Sequence, residues 1–171
     1  PTLRQLELLL AELQGRDACL LTGSGVAAIA MPLIALLKSG DHVVHFAEQY
    51  QPTRALIGRV LRRFGVASTM LSIDDLEGLE RALAATPTRL VVFESPTNPA
   101  LKIADIERLT ASARRHGAFT LLDNTLAGLH NHGQFDVDLF AHSLTQYASG
   151  HGDVVGGASL GRAELIDSMR D

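Results

Sequence analysis

Two glycines around one serine, in Thr22-Gly-Ser-Gly-Val-Ala-Ala28, are the first residues whose spacing could do chemistry. They follow a short apolar run and open a helical one. Glycine lets the backbone approach a ligand closely, and the unpaired N–H groups at a helix start attract a phosphate. A tight turn ahead of a packed helix explains the same residues without a ligand. The segment also fits Gly-x-Gly-x-x-Ala, a dinucleotide fingerprint, and Glu48 stands about where a ribose-binding acid is expected.

Three further polar segments follow apolar runs. Glu94-Ser-Pro-Thr-Asn-Pro99 has two prolines that fix the chain's course, and Asn98 can both donate and accept. Asp123-Asn-Thr125 puts a carboxylate at the end of an apolar strand. That placement is costly unless the group is solvated or faces a positive charge, such as a cationic ring nitrogen. Ser143-Leu-Thr-Gln-Tyr147 spaces two hydroxyls so that both can reach one phosphate, and Gly150-His-Gly-Asp153 and Gly156-Gly157 come after it. The bland readings are a rigid turn, a helix cap and an ordinary loop. Histidines at 130, 132, 142 and 151 lack the clustered acids or cysteines of a metal site and read as solvated loop residues, so no metal is expected. Gly23-Ser-Gly25 lacks the outer glycines of a nucleophile elbow, which argues against a serine hydrolase.

The elements that must position these loops alternate between strand and helix. Leu3, Leu6, Leu9, Leu10 and Leu13 recur at helical spacing after Thr2, a candidate cap, and Gly15 ends the run. Strands are predicted at 17–22, 42–46, 67–71, 90–93, 119–122 and 139–142. Helices are predicted at 26–38, 53–64, 75–84 and 105–116. One short buried strand per unit argues for a mostly parallel α/β sheet covered on both faces. Ligands of such sheets bind beyond the carboxyl ends of the strands, where the polar loops lie.

The 171 residues suffice for one domain with a core, and 46% hydrophobic against 20% charged reads as soluble and globular. A net charge of -4 gives no electrostatic reason to expect nucleic acid or an anionic membrane, and no apolar stretch reaches spanning length. Arg62-Arg63 and Arg114-Arg115 sit near expected helix ends, where positive charge suits the dipole. The single Cys19 cannot form an internal disulfide and lies in an apolar run. It reads as a buried thiol in a reducing, cytoplasmic setting.

Each loop alone is weak, but their order and spacing resemble the Cys/Met-metabolism pyridoxal-phosphate (PLP) enzymes. The resemblance rests on Thr22–Ala28, Ser39-Gly-Asp-His-Val-Val44, Tyr50, Glu94–Pro99, Asp123–Thr125 and His142-Ser-Leu-Thr-Gln-Tyr147 with its glycine tail to Gly157. It covers essentially the whole chain from Pro1-Thr2. It implies a fold-type-I large domain similar to aspartate aminotransferase, and β- or γ-elimination or replacement on sulfur amino acids. It also implies a homodimer or homotetramer with shared sites. Ser24, Gly25 and Val26 would hold the coenzyme phosphate, the latter two through backbone amides, with help from Ser143 and Thr145. Tyr50 would stack on the ring, Asp123 would pair with its nitrogen, and Asn98 would lie near its hydroxyl. The dinucleotide reading leaves Asp123, Ser143 and Thr145 without a task.

The chain departs from the family in three respects. Gln146 stands where the family has the lysine that bonds the coenzyme and moves protons, which an amide cannot do. This implies impaired turnover, or a non-catalytic binder of PLP or an amino acid. Val26 replaces the family's methionine, which a backbone contact tolerates. The family's N-terminal arm and C-terminal small domain are expected to be missing from residues 1–171, which read as an incomplete large domain.

Overall fold

In the computed structural model residues 2–170 are described, and Pro1 and Asp171 lie outside them. The chain forms two compact units, Pro1–Ala35 with Asp123–Asp171, and Leu36–Leu122.

In the first unit, helix α1 (Thr2–Gln14) buries Glu7, Leu10, Ala11 and Gln14, a stripe at i, i+3, i+4 and i+7. This corrects the leucine face read from sequence, since Leu3, Leu6 and Leu9 are exposed. Thr2 is helical rather than a cap, and Gly15 ends the helix at φ +67°. The stripe is polar at both ends because each polar side chain has a partner waiting. Glu7 accepts from the Leu21 amide at 3.1 Å and from Arg170 at 2.9 Å.

Helix α2 (Gly25–Leu36) runs through Pro32, whose missing N–H leaves the Ala28 carbonyl without its helical donor. The fully buried Ser159 hydroxyl donates to that carbonyl at 2.7 Å. Ser159 lies on β7 (Gly157–Gly161), a strand not anticipated from its small residues, as the short helix α6 (Ala163–Asp167) also was not. Strand β7 pairs antiparallel with β1 (Ala18–Thr22) and with β6 (Leu139–Ser143). The two registers set Thr22, Gly157 and Ser143 in one row. Cys19 is buried in β1, where burial pushes its thiol up to about 12, so it is inert.

In the second unit, β2 (His42–Phe46) pairs parallel with β3 (Ala67–Leu71) and with β4 (Leu90–Glu94), and the order continues through β4 to β5 (Phe119–Asp123). Every residue of β2 and β4 is buried, as strands covered on both faces require. His42 is buried among them by two hydroxyl partners, Thr88 and Thr69, each at 2.9 Å. The helix predicted at 53–64 divides into α3 (Gln51–Ala55), a π-helical turn at Leu56–Val60 and a 3₁₀ turn at Leu61–Phe64 that Gly65 ends at φ +80°. Helices α4 (Leu76–Ala85) and α5 (Ile106–Arg115) are capped by the carboxylates of Asp75 and Asp105.

Candidate active site

The row formed by Thr22, Gly157 and Ser143 is the floor of the candidate site in the first unit. From Thr22 the chain turns through Ser24, whose hydroxyl accepts from the Ala27 amide at 3.2 Å and so caps α2. A methyl group on Gly25 would stand 2.5 Å from Ser143 Cβ and 2.9 Å from its Cα. Only glycine allows the start of α2 to lie against the end of β6. The amides of Gly25 and Val26 have no acceptor among the described residues, and the Ser143 hydroxyl has none either. Free amides at the start of a twelve-residue helix beside a free hydroxyl are a ready seat for a phosphate. The Thr145 hydroxyl is committed to Gly156, whose amide donates to it at 3.2 Å.

Asp123 ends β5 and is only 7% exposed. Its Oδ1 accepts from the Thr125 amide at 3.1 Å and from the Thr125 hydroxyl at 2.7 Å, an Asx turn. No described residue donates to Oδ2. Burial raises the carboxyl above the usual range, and the two Thr125 hydrogen bonds offset only part of that rise. The Ser143 amide in turn donates to the Thr125 hydroxyl at 2.9 Å. Asp123, Thr125, Ser143 and Gly25 thus form one continuous run of contacts.

Beneath these residues lies a network the sequence did not disclose. Gln14 donates to the Asn131 carbonyl at 2.9 Å, so its Oε1 accepts from His142 Nε2 at 2.7 Å and from Asn124 at 3.3 Å. Asn124 donates to the Gly128 and Asn131 carbonyls, and its Oδ1 accepts from His132 Nδ1 at 2.7 Å. His142 is buried and burial holds its imidazole down at about 4, so it is neutral rather than the solvated loop residue expected. His132 is half-buried and also pushed down by burial. Among the described residues no group of three or more His, Cys, Asp or Glu side chains is placed to hold a metal ion.

An open, mainly apolar cavity of about 570 Å³ adjoins the site, lined by Thr125, His142, Ser143, Leu144 and Tyr147 on one side and by leucines of α1 on the other. Gln146 is exposed on the turn beside it.

The second unit carries the remaining candidates. Tyr50 precedes α3, and its amide donates to the buried Glu94 carboxylate at 2.7 Å, so Glu94 fixes where the tyrosine stands. Tyr50 is exposed, as is Asn98 on a turn closed by Thr97 and Lys102. Glu48 is not free for a ribose. It accepts from Ser72 at 2.7 Å, from the Ile73 amide at 2.9 Å and from Lys102 at 3.0 Å. Burial works against its charge, but these donors outweigh it and hold the carboxyl at about 2. That removes the residue on which the dinucleotide reading leaned.

The family model for the Cys/Met-metabolism PLP-dependent enzymes matches residues 1–170. The chain belongs to this family. It is 39% identical over 172 residues to L-methionine gamma-lyase of Pseudomonas putida, which covers 99% of this chain and 43% of that protein. The structure of metB from Corynebacterium glutamicum superposes with a TM-score of 0.91 at 33% identity, over 96% of this chain and 43% of that one. A putative O-acetylhomoserine (thiol)-lyase (metY) from Campylobacter jejuni, solved with a pyridoxyl-lysine monophosphate, gives 0.87 at 37% identity over 98% and 42%. The chain spans less than half the length of these relatives.

The fold is therefore that of the family's fold-type-I members, with β7 antiparallel to both of its neighbours. Pyridoxal phosphate is the family's coenzyme, and the residues present suit it. Free amides and a free hydroxyl answer a phosphate, and a buried carboxylate with one oxygen unclaimed answers a cationic ring nitrogen. Thr125 carries no role in the family resemblance. The signal was there, since a hydroxyl two residues after an aspartate is the pattern of an Asx turn.

Proposed function

We propose that this protein descends from enzymes of β/γ-elimination or replacement on sulfur amino acids, and that it holds PLP noncovalently with impaired turnover. The observation that carries the reading is the unclaimed Oδ2 of buried Asp123, joined through Thr125 to Ser143 and the Gly25 turn. The coenzyme, when bound, supplies the electron sink that stabilises negative charge at the substrate's α-carbon. The chain's own residues do the rest. Gly25, Val26 and Ser143 bind the phosphate, Ser24 caps the helix that presents two of them, and Thr145 braces the following turn through Gly156. Asp123 orients the ring and keeps a proton on its nitrogen. By the family resemblance alone, Tyr50 would stack on the ring and Asn98 would lie near the ring hydroxyl. The neighbouring cavity suits an amino-acid side chain of modest size and apolar character.

Proton transfer at the substrate is where the chain falls short. Gln146 is neither a base nor a nucleophile near neutral pH, and loss of such a base costs about 10²–10⁴-fold in rate. The two lysines of the chain do not replace it. Lys102 is tied to Glu48 at 3.0 Å and also to Asp74, and its ammonium is held above the ordinary range by those hydrogen bonds. Lys38 follows the far end of α2. A second reading, a binding protein that keeps PLP without turnover, is favoured by the same glutamine. Homo-oligomeric assembly and a cytoplasmic location accord with the family resemblance and with the lone buried cysteine.

Gln146→Lys in the intact protein is the test. We expect PLP to become fixed to the chain, seen as one added pyridoxyl mass after borohydride reduction, and keto-acid release from a sulfur amino acid to rise about 10²-fold or more. Wild type should bind PLP reversibly and release it on dialysis. A lysine variant that neither fixes PLP nor gains turnover places the site elsewhere.

A further inference from the structure

We infer that Thr125 is a positioning residue for recognition of the coenzyme's ring nitrogen, acting through Asp123, an inference that rests on the site reading above. The direction of each proton in the chain of contacts is settled by chemistry. A backbone amide can only donate, so the Thr125 hydroxyl accepts from Ser143 at 2.9 Å. Its own hydrogen then points to the nearest remaining acceptor, Asp123 Oδ1 at 2.7 Å, where the Thr125 amide also donates at 3.1 Å. Both donors fall on one oxygen. Oδ1 is saturated on that side, and Oδ2 is left as the oxygen available to an incoming N–H.

This arrangement does two things for a buried carboxylate. It supplies hydrogen bonds that favour the charged form, against the desolvation that disfavours it. It also locks the carboxylate's rotation, because two donors from one residue grip the same oxygen. The same hydroxyl ties the acid to the backbone of Ser143, the residue against which Gly25 is packed. One side chain therefore sets the spacing between the phosphate seat and the nitrogen partner. A threonine chosen for packing alone would not need its hydroxyl, and here the hydroxyl has both a donor and an acceptor engaged.

The test compares PLP with its 1-deaza analogue, in which carbon replaces the ring nitrogen, by calorimetric titration of the intact protein. Wild type should prefer PLP. Thr125→Val should lose about tenfold or more of its PLP affinity while binding the deaza analogue nearly as wild type does. Thr125→Ser, which keeps the hydroxyl, should retain the preference. In an Asp123→Asn background Thr125→Val should cost nothing further, because the effect runs through the acid. If Thr125→Val does not fold, Thr125→Cys preserves the volume with a much poorer donor and should show a reduced preference. Equal weakening of both ligands, loss of preference in Thr125→Ser, or additive effects of the two substitutions overturns the inference. Wild type that binds PLP but does not distinguish it from the deaza analogue overturns the assignment of Asp123 itself, and this inference with it.

Discussion

Gly25 shows how much can depend on the absence of one carbon. A methyl there would press on Ser143 Cβ and Cα at 2.5 and 2.9 Å, and neither is a flexible tip that can swing away. Gly25→Ala must therefore push the start of α2 off the end of β6. We expect a loss of about 1–3 kcal/mol in stability and a coenzyme affinity at least tenfold weaker, read by denaturant unfolding and PLP titration. An alanine variant with unchanged PLP affinity would remove Gly25 from the phosphate seat. Ser143 is the counterpart, since its amide serves Thr125 while its hydroxyl stays free.

Helix α2 is an apolar helix interrupted by a proline, which in isolation costs about 3 kcal/mol or more. Its repair comes from another element, the Ser159 hydroxyl of β7 on the Ala28 carbonyl. Ser159→Ala should leave that buried carbonyl unpartnered and cost about 1–3 kcal/mol by urea unfolding, more than an alanine at an exposed serine. Restoration of the loss by Pro32→Ala in the same chain would identify the bond as the cause. Helix α1 has the same logic, since Gln14 anchors the loop at Asn131, the Asn124 side chain and His142 at once.

Across the molecule, two buried histidines make stability fall toward acid. Burial holds His142 and His45 at about 4, with the charge of Arg54 adding to the effect on His45. Unfolded histidine titrates at about 6.5. Between these values the unfolded chain binds protons that the folded chain refuses. The stability present above about pH 6.5 is therefore lost as pH falls toward about 4, at about 1.4 kcal/mol per pH unit for each histidine. Asp123 acts in the opposite sense, because its raised carboxyl binds a proton more readily when folded, a contribution lost as pH rises through its folded value. We expect urea midpoints to fall between about pH 6.5 and about pH 4.5, and His142→Gln to flatten the slope. A slope unaffected by that substitution would mean the imidazole is charged in the folded state.

The amino-acid sequence by itself determined where most strands lie and which loops follow them. Period and turn chemistry are local properties, and β2 and β3 fall on the predicted residues 42–46 and 67–71. It also determined the family, because six short motifs in one order are far more specific than any one of them. Tertiary structure decided the partners. Glycine and serine carry little strand signal, so β7 became visible only through its two neighbours. The buried stripe of α1 follows Glu7 and Gln14 rather than the leucines, because hydrogen-bond acceptors and donors from distant segments wait there. The division of 53–64 into three helical types also escaped the 3.6-residue period, which does not distinguish α, π and 3₁₀ turns. Sequence spacing tells which faces exist, whereas burial of a polar group depends on a partner more than a hundred residues away, as with Gln14 and His142.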